Sequence, residues 1–293
     1  MEDQLIDSLR DLFGSSVTIT AKCPVSGGDI NNAFALTLSD GRKVFLKENA
    51  NASEDFFAAE AKGLEALGAS GVLAVPRVLA KGSRKDSLFL LLSYIREGAR
   101  KKDFFYDFGR RLALLHKADT AAFTGGSRFG FSSDNYIGAS RQINTLTDSW
   151  TDFFRQYRLK PQVESAWGYF DSSAKKKIGS LLERLDKRLE EPQYPSLLHG
   201  DLWSGNYMVT EDGEPALIDP AVYVGNREAD LAMTQLFGGY PDAFYAGYAD
   251  EAGIPYGYNE RCELYNLYHM LNHLNLFGRA YLHGVQSIIN KFA

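Results

Sequence analysis

Leu198-His199-Gly200-Asp201-Leu202-Trp203-Ser204-Gly205-Asn206, followed by Ile218-Asp219-Pro220, sets two carboxylates and one amide at a defined spacing, with Asp201 and Asn206 five residues apart. A turn of that length can aim a carboxylate at an attacking hydroxyl while returning an amide oxygen to a metal that bridges nucleotide phosphates. Tyr207-Met208-Val209-Thr210, Glu211-Asp212-Gly213-Glu214 and Pro215-Ala216-Leu217-Ile218 read as strand, turn and strand. Such a hairpin brings Asp219 back beside Asn206. Either aspartate alone reads as a turn residue capping backbone donors. The combined pattern matches a kinase catalytic loop, in which Asp accepts the hydroxyl proton, Asn holds magnesium and a later Asp binds metal.

Working outward, residues 1 to about 95 show short β-prone runs at Val17 to Thr20, Ala33 to Leu38 and Lys43 to Lys47, the last two joined by an Asp40-Gly41 hairpin signal. Ser53 with Glu54-Asp55 starts a helix whose apolar positions recur until Gly68. Two further runs, Ala74 to Leu79 and Leu88 to Tyr94, complete a small sheet. Beyond Tyr94 helical periodicity dominates, over Asp103 to Lys117, Asn144 to Leu159, Ala174 to Glu190, Arg227 to Phe237 and Arg261 to Phe277. The pattern predicts an α+β, bilobal fold: a nucleotide-binding lobe over 1–95 with a small antiparallel sheet, and a larger, mainly helical catalytic and substrate-binding lobe over 96–293.

Other parts of a phosphoryl-transfer site fall in order. Gly27 and Gly28, at a turn between the first two strands, let backbone N–H groups approach phosphate oxygens, although a plain hairpin loop is the default reading. Lys47 ends the third strand, where a kinase places its α/β-phosphate lysine. Glu60 follows thirteen residues later on the inward face of a helix, so it needs a cation, and Lys47 is the candidate. An apolar strand running to Ile95 makes the Ser93 carbonyl and the Ile95 N–H candidates for adenine contact.

Composition narrows the class. Of 293 residues, 37 are acidic and 32 basic, a net charge of -5 that offers no basic field for nucleic acid. Arg100-Lys101-Lys102 and Lys175-Lys176-Lys177 read as solvated faces first and anion contacts second. Two distant cysteines, Cys23 and Cys262, support neither a disulfide scaffold nor a zinc site. With no signal-peptide pattern and no apolar run of spanning length, the expectation is a cytoplasmic protein without a membrane partner.

The set of Lys47, Glu60, His199-Gly200-Asp201, Asn206 and Asp219 resembles the aminoglycoside phosphotransferase and choline kinase branch of the kinase-like fold. Asp201-Leu202-Trp203-Ser204-Gly205-Asn206, Ile218-Asp219-Pro220-Ala221-Val222-Tyr223, Arg227-Glu228-Ala229-Asp230-Leu231-Ala232-Met233 and Leu271-Asn272-His273-Leu274-Asn275-Leu276-Phe277-Gly278 are similar to the fructosamine kinase family. The resemblance implies transfer of the ATP γ-phosphate to O3 of a ketosamine, free or on a protein lysine, with Mg2+, and breakdown of the phosphorylated adduct to regenerate the amine. It implies Asp201 as base, Asn206 and Asp219 as magnesium ligands, Lys47 positioned by Glu60 on the phosphates, and Gly27 and Gly28 over them. Asp219-Pro220-Ala221 in place of Asp-Phe-Gly, with no Ala-Pro-Glu following, argues against an activation loop.

Trp203 and His273 are candidate substrate contacts, each with a core reading beside it; His269 four residues before His273 has metal-like spacing without a third ligand. Asp134 and Tyr136 sit in a polar insertion that reads either as a reach towards sugar or as a surface turn. Asp230 reads as a support of the catalytic loop. The alternatives are a small-molecule kinase of the aminoglycoside or choline type and a non-catalytic nucleotide-binding module; oligomeric state is open.

Overall fold

The computed structural model describes residues 4–26, 30–84 and 86–293. Gly27 and Gly28 lie outside the described residues. Internal contacts divide the chain into two units, Met1–Lys102 with Tyr207–Asp219, and Asp103–Asn206 with Pro220–Ala293.

The first unit is built on a five-stranded antiparallel sheet ordered β1-β2-β3-β5-β4, from β1 (Ile19–Val25), β2 (Asn32–Leu38), β3 (Lys43–Asn49), β4 (Val78–Arg84) and β5 (Ser87–Ser93). Period-two alternation puts Leu36, Leu38, Val44, Leu46, Phe89 and Leu91 into one core, capped by Leu5 and Leu9 of α1 (Gln4–Phe13). α2 (Phe56–Ala69) buries Phe57, Ala61, Leu64 and Leu67, and it ends at the glycine-containing turn that its periodicity predicts. β4 begins later than expected: Ala74 forms only an isolated parallel bridge to Ala216, and the paired strand starts at Val78. Pro76 accounts for the delay, since it has no N–H to give to a ladder.

The predicted hairpin after Asn206 is present, as β9 (Tyr207–Val209) and β10 (Pro215–Leu217) in register Val209↔Pro215. It belongs with the N-terminal sheet. The Gly98 N–H donates to Val209 O at 3.1 Å, the Leu217 N–H to Ala74 O at 2.8 Å, and Lys101 pairs with Glu214.

The second unit is mainly helical. α3 (Phe104–His116) and the short α4 (Ala121–Thr124) precede a small hairpin, β6 (Asn135–Ile137) and β7 (Ser140–Gln142), ahead of the helix expected from Asn144. The helix starts only at α5 (Trp150–Phe153), capped by Ser149 Oγ accepting from the Asp152 N–H, and continues as a π-helix over Phe154–Leu159 into α6 (Lys160–Ser165). α7 (Ser172–Glu183) is followed by β8 (Ser196–Leu198), which pairs with β11 (Tyr223–Gly225). α8 (Glu228–Met233) is shorter than its pattern suggested, ending before Phe237, whose φ of 54° is incompatible with helix. α9 (Asp242–Ala252), α10 (Tyr258–Phe277) and α11 (Leu282–Phe292) complete the unit. Sequence reading missed α9 and α11.

α3 and α9 cross at backbone contact, because each supplies a glycine. A Cβ on Gly109 would lie 1.9 Å from Phe244 O, and one on Gly247 the same distance from Tyr106 O. Only a residue without a side chain fits either point. Gly109→Ala is therefore expected to lower the unfolding free energy by about 2 kcal/mol through forced separation of the helices, measured by urea denaturation; an unchanged midpoint would show that the crossing tolerates a methyl group.

Candidate active site

The structure assembles the predicted site residues in two groups, one within each unit. In the first, Lys47 is buried near the end of β3, and its Nζ lies 2.5 Å from Glu60 Oε1 on α2 and 2.6 Å from Asp219 Oδ1. Asp219 follows β10, so the packing of the hairpin against the sheet is what delivers it to Lys47. Two carboxylates share one ammonium. Burial alone would lower the Lys47 pKa, but the charges of Asp219 and Glu60 and their hydrogen bonds hold it above its ordinary value. Burial pushes Glu60 up, against the attraction of Lys47 and with the repulsion of Asp219. The cluster carries one more acid than base, and the Asp219 side chain remains 45% exposed, so a cation has an accessible carboxylate there. Asp219 adopts φ 53°, a left-handed conformation that non-glycine residues take at a cost of about 1–3 kcal/mol.

In the second group, β8 runs into the turn His199–Asn206. The Asn206 Nδ2 donates to the Asp201 backbone oxygen at 2.8 Å and to Asp201 Oδ2 at 3.1 Å. This closes the five-residue turn on itself and orients the Asn206 carbonyl oxygen away from Asp201. Gly200 has φ 84°, and a Cβ there would meet Ala221 O at 2.0 Å, so the middle position of His199-Gly200-Asp201 must be glycine. At Gly205 the close neighbour is the Trp203 ring: its Cη2 lies 2.3 Å from where a Cβ would sit, so a side chain there would displace the ring.

Beneath the turn, Asp230 at the start of α8 is almost fully buried and accepts the His199 N–H at 2.7 Å and the Gly200 N–H at 2.8 Å. His116 Nε2 lies 3.2 Å from Asp230 Oδ2, and His116 Nδ1 lies 2.8 Å from the Tyr248 hydroxyl. Burial opposes ionisation of Asp230, yet the His116 bond, the neighbouring histidines and the Gly200 N–H hold its pKa below the ordinary value of 3.8. Asp230 thus supports the loop, as its sequence position suggested.

The remaining candidate residues divide. Trp203 is half-buried, and its backbone oxygen lies 3.3 Å from the Tyr240 hydroxyl. His273 Nδ1 bonds the His269 carbonyl at 2.8 Å, and its ring lies among Phe237, Tyr281 and Phe277 at 4.8, 5.1 and 5.4 Å, with Phe237 in turn 6.3 Å from Trp203. The His269/His273 spacing builds no metal site: among the described residues no group of three or more His, Cys, Asp or Glu is placed to hold an ion. Both Asp134 oxygens serve the β6–β7 region, accepting from Arg141 and from the Asn144 N–H at 2.9 Å. Tyr136 pairs with Arg141 across that hairpin. Ser93 is the last residue of β5, and Ile95 lies two residues beyond it.

Two buried residues, His116 and Arg158, had no sequence signal, and His269 had only its spacing to His273. His116 ends an apolar helix and reads there as core. Arg158 is wholly buried, stacked 3.9 Å from the Tyr223 ring and bonded to Ile143 O, Tyr157 O and Asn144 Oδ1. His269 Nδ1 lies 3.9 Å from Asp201 Oδ1. Only tertiary packing brings these near Asp201.

Replacing Asp230 by Asn leaves the turn's two N–H groups facing one neutral oxygen and an amide. The expected loss is about 2–3 kcal/mol at pH 7. Because Asp230 has a depressed folded pKa, its contribution is present above the ordinary carboxylate value and is lost as pH falls through the folded value. The gap between wild type and Asp230→Asn in urea denaturation should therefore narrow on acidification; a gap independent of pH would contradict the assignment.

Comparison with known proteins places this arrangement. A family model described as fructosamine kinase matches residues 1–293. A Synechocystis sp. protein named as a probable ketoamine kinase is 41% identical over 295 residues, covering 98% of this chain and 95% of its own. The chloroplastic protein-ribulosamine 3-kinase of Oryza sativa subsp. indica is 36% identical over 282 residues, covering 95% of this chain and 80% of its own. A crystal structure from Haemophilus somnus 129PT, provisionally described as a fructosamine-3-kinase, superposes with a TM-score of 0.87 at 28% identity, covering 98% of this chain and 96% of the other. Aminoglycoside phosphotransferase APH(4)-Ia, at 19% identity and a TM-score of 0.63, covers 99% of this chain and 98% of its own and shares the fold. No helix among the described residues is long and apolar enough to cross a membrane. Matched over its whole length, the chain belongs to the fructosamine kinase family.

Proposed function

We propose that this protein transfers the γ-phosphoryl group of ATP to the O3 hydroxyl of a ketosamine, the rearranged adduct of a sugar with an amine, free or on a protein lysine. The observation that carries this reading is the Asp201 carboxylate held by Asn206 inside a turn belonging to a whole-length fructosamine kinase match. Asp201 accepts the O3 proton as the O3–phosphorus bond forms and the bond from γ-phosphorus to the β,γ-bridging oxygen breaks, releasing ADP. Once O3 is phosphorylated, the neighbouring aminoketone enolises and the C3–O bond breaks to expel inorganic phosphate, and water then cleaves the C1–N bond of the resulting imine, regenerating the amine and leaving a 3-deoxy dicarbonyl sugar.

The other roles follow from charge. Lys47 sits between two carboxylates and offers its ammonium to the α- and β-phosphates, with Glu60 keeping it in place. Asn206 Oδ1 and the exposed Asp219 carboxylate are hard oxygen donors that fit Mg2+. Magnesium held there would neutralise charge developing on the phosphates. We assign nucleotide binding to 1–95, with Gly27 and Gly28 over the phosphates and the Ser93 and Ile95 main chain at the adenine, and catalysis and substrate binding to 96–293. Trp203 and His273, with the aromatic rings around His273, suit the sugar and the cationic amine of a ketosamine. The Asp134 carboxylate, spent on Arg141 and Asn144, has no place in this scheme.

The test is an ADP-release assay on fructosyl-lysine, ribulosyl-lysine, an aminoglycoside and choline. Turnover is expected on the ketosamines; activity confined to the aminoglycoside or choline would replace this reading with the other phosphotransferase class, and ATP binding without transfer to any of the four with that of a binding module. Asp201→Asn should lower kcat by about 10²- to 10⁴-fold with little change in ATP affinity by calorimetry. Undiminished turnover in that variant would remove Asp201 from the chemistry.

A further inference from the structure

His269 is a residue that the proposed chemistry leaves without work. It lies on the buried face of α10, with 5% of its side chain exposed, and its Nδ1 is buried without a hydrogen-bond partner. An unpaired polar atom in such a place costs about 1–3 kcal/mol, so the fold carries it for a reason or satisfies it at another stage. The Asp201 carboxylate lies close by, with its Oδ1 3.9 Å from Nδ1. That gap exceeds an N–H···O bond by about 1 Å. Catalytic hydrogen bonds are commonly long in a free enzyme and tighten with substrate.

The groups facing His269 decide its state. Tyr268 packs edge-on at 5.1 Å, and the His269 carbonyl bonds His273 Nδ1. Burial and His273, with a smaller effect of Arg158, disfavour a charged ring against the pull of Asp230 and push the pKa down to about 3. The ring is therefore neutral, with its single proton on one of two nitrogens. A lone pair on Nδ1 would face a carboxylate oxygen, which repels it; a proton on Nδ1 would be attracted. Asp201 selects the Nδ1–H tautomer.

We propose that His269 is a positioning residue for phosphoryl transfer, its Nδ1–H directed at Asp201 Oδ1 while the Asn206 amide holds Oδ2, so that the carboxylate plane is fixed from both sides when the hydroxyl is engaged. The inference rests on Asp201 acting as the base. Nothing in the motifs around Asp201 points to His269, because 68 residues of chain separate the two. The proposal demands the proton at a stated nitrogen, which a merely space-filling histidine does not.

The test uses the full chain and three variants. Asparagine can put a donor where Nδ1 stands, glutamine places its amide near Nε2, and leucine removes both. His269→Asn is expected to keep most of the wild-type kcat, while His269→Gln and His269→Leu lose about 10²-fold, with KM for ATP unchanged in all three. Equal losses in the three, or no loss in His269→Leu, would overturn the proposal. Imidazole 15N spectra of the wild type give a readout independent of variant folding and of turnover: the proton is expected on Nδ1, and a proton on Nε2 would overturn it. If the wild type phosphorylates no ketosamine, the functional reading fails while the tautomer assignment is still read directly.

Discussion

The turn His199–Asn206 depends on one buried carboxylate. Asp230 offers its two oxygens to two consecutive backbone N–H groups, a geometry that bends the chain sharply and leaves Gly200 in a conformation closed to other residues. An ionised group in the interior survives only when its lone pairs are filled. Here His116 fills the third position, and Tyr248 on α9 orients His116 in turn. The α3–α9 crossing that carries His116 and Tyr248 is close because of Gly109 and Gly247. A chain of contacts thus runs from two helix glycines to the backbone on which Asp201 stands. Changes far from Asp201 along that chain act on its placement without touching substrate.

The Lys47 cluster obeys a different logic. Its three groups are buried unequally: Lys47 and Glu60 are held inside, whereas Asp219 is left half open. A lysine with two carboxylates is over-compensated, so a divalent cation at the exposed Asp219 carboxylate, as proposed, would relieve the imbalance. The left-handed φ of Asp219 fits this, since strained conformations persist at sites where the surroundings over-determine them. Asp219 reaches Lys47 because the β9–β10 hairpin packs with the N-terminal sheet, through the Leu217–Ala74 and Gly98–Val209 bonds.

The parts of this protein that were legible in its sequence are those with local causes. Alternating apolar residues and Asp40-Gly41 marked β2 and β3; the run from Phe56 to Leu67 marked α2; and the inward carboxylate of Glu60 marked its partner Lys47. β4 was displaced by Pro76, and the helix expected from Asn144 begins only at Trp150, because the Asn144 side chain donates to Ser133 O and Asn135 Oδ1 and Thr147 forms a bridge with Phe129. α9 was missed because its apolar stripe is diluted by Gly247 and exposed acids. The packing of His116, Arg158 and His269 was illegible, since it spans large sequence separations; His269 showed only its spacing to His273. Trp203-Ser204-Gly205 was read as a motif, but the close approach of the Trp203 ring to Gly205 needed coordinates.

Passage of phosphate from ATP to O3 of a ketosamine is read in the structure of the product. Ribulosyl- or fructosyl-lysine, ATP and Mg2+ should yield a sugar whose phosphorus couples to the proton and carbon at position 3 in 31P-correlated NMR, followed by release of free lysine in step with loss of that signal. Phosphate on any other hydroxyl, or ADP formation with no phosphorylated sugar, would contradict it.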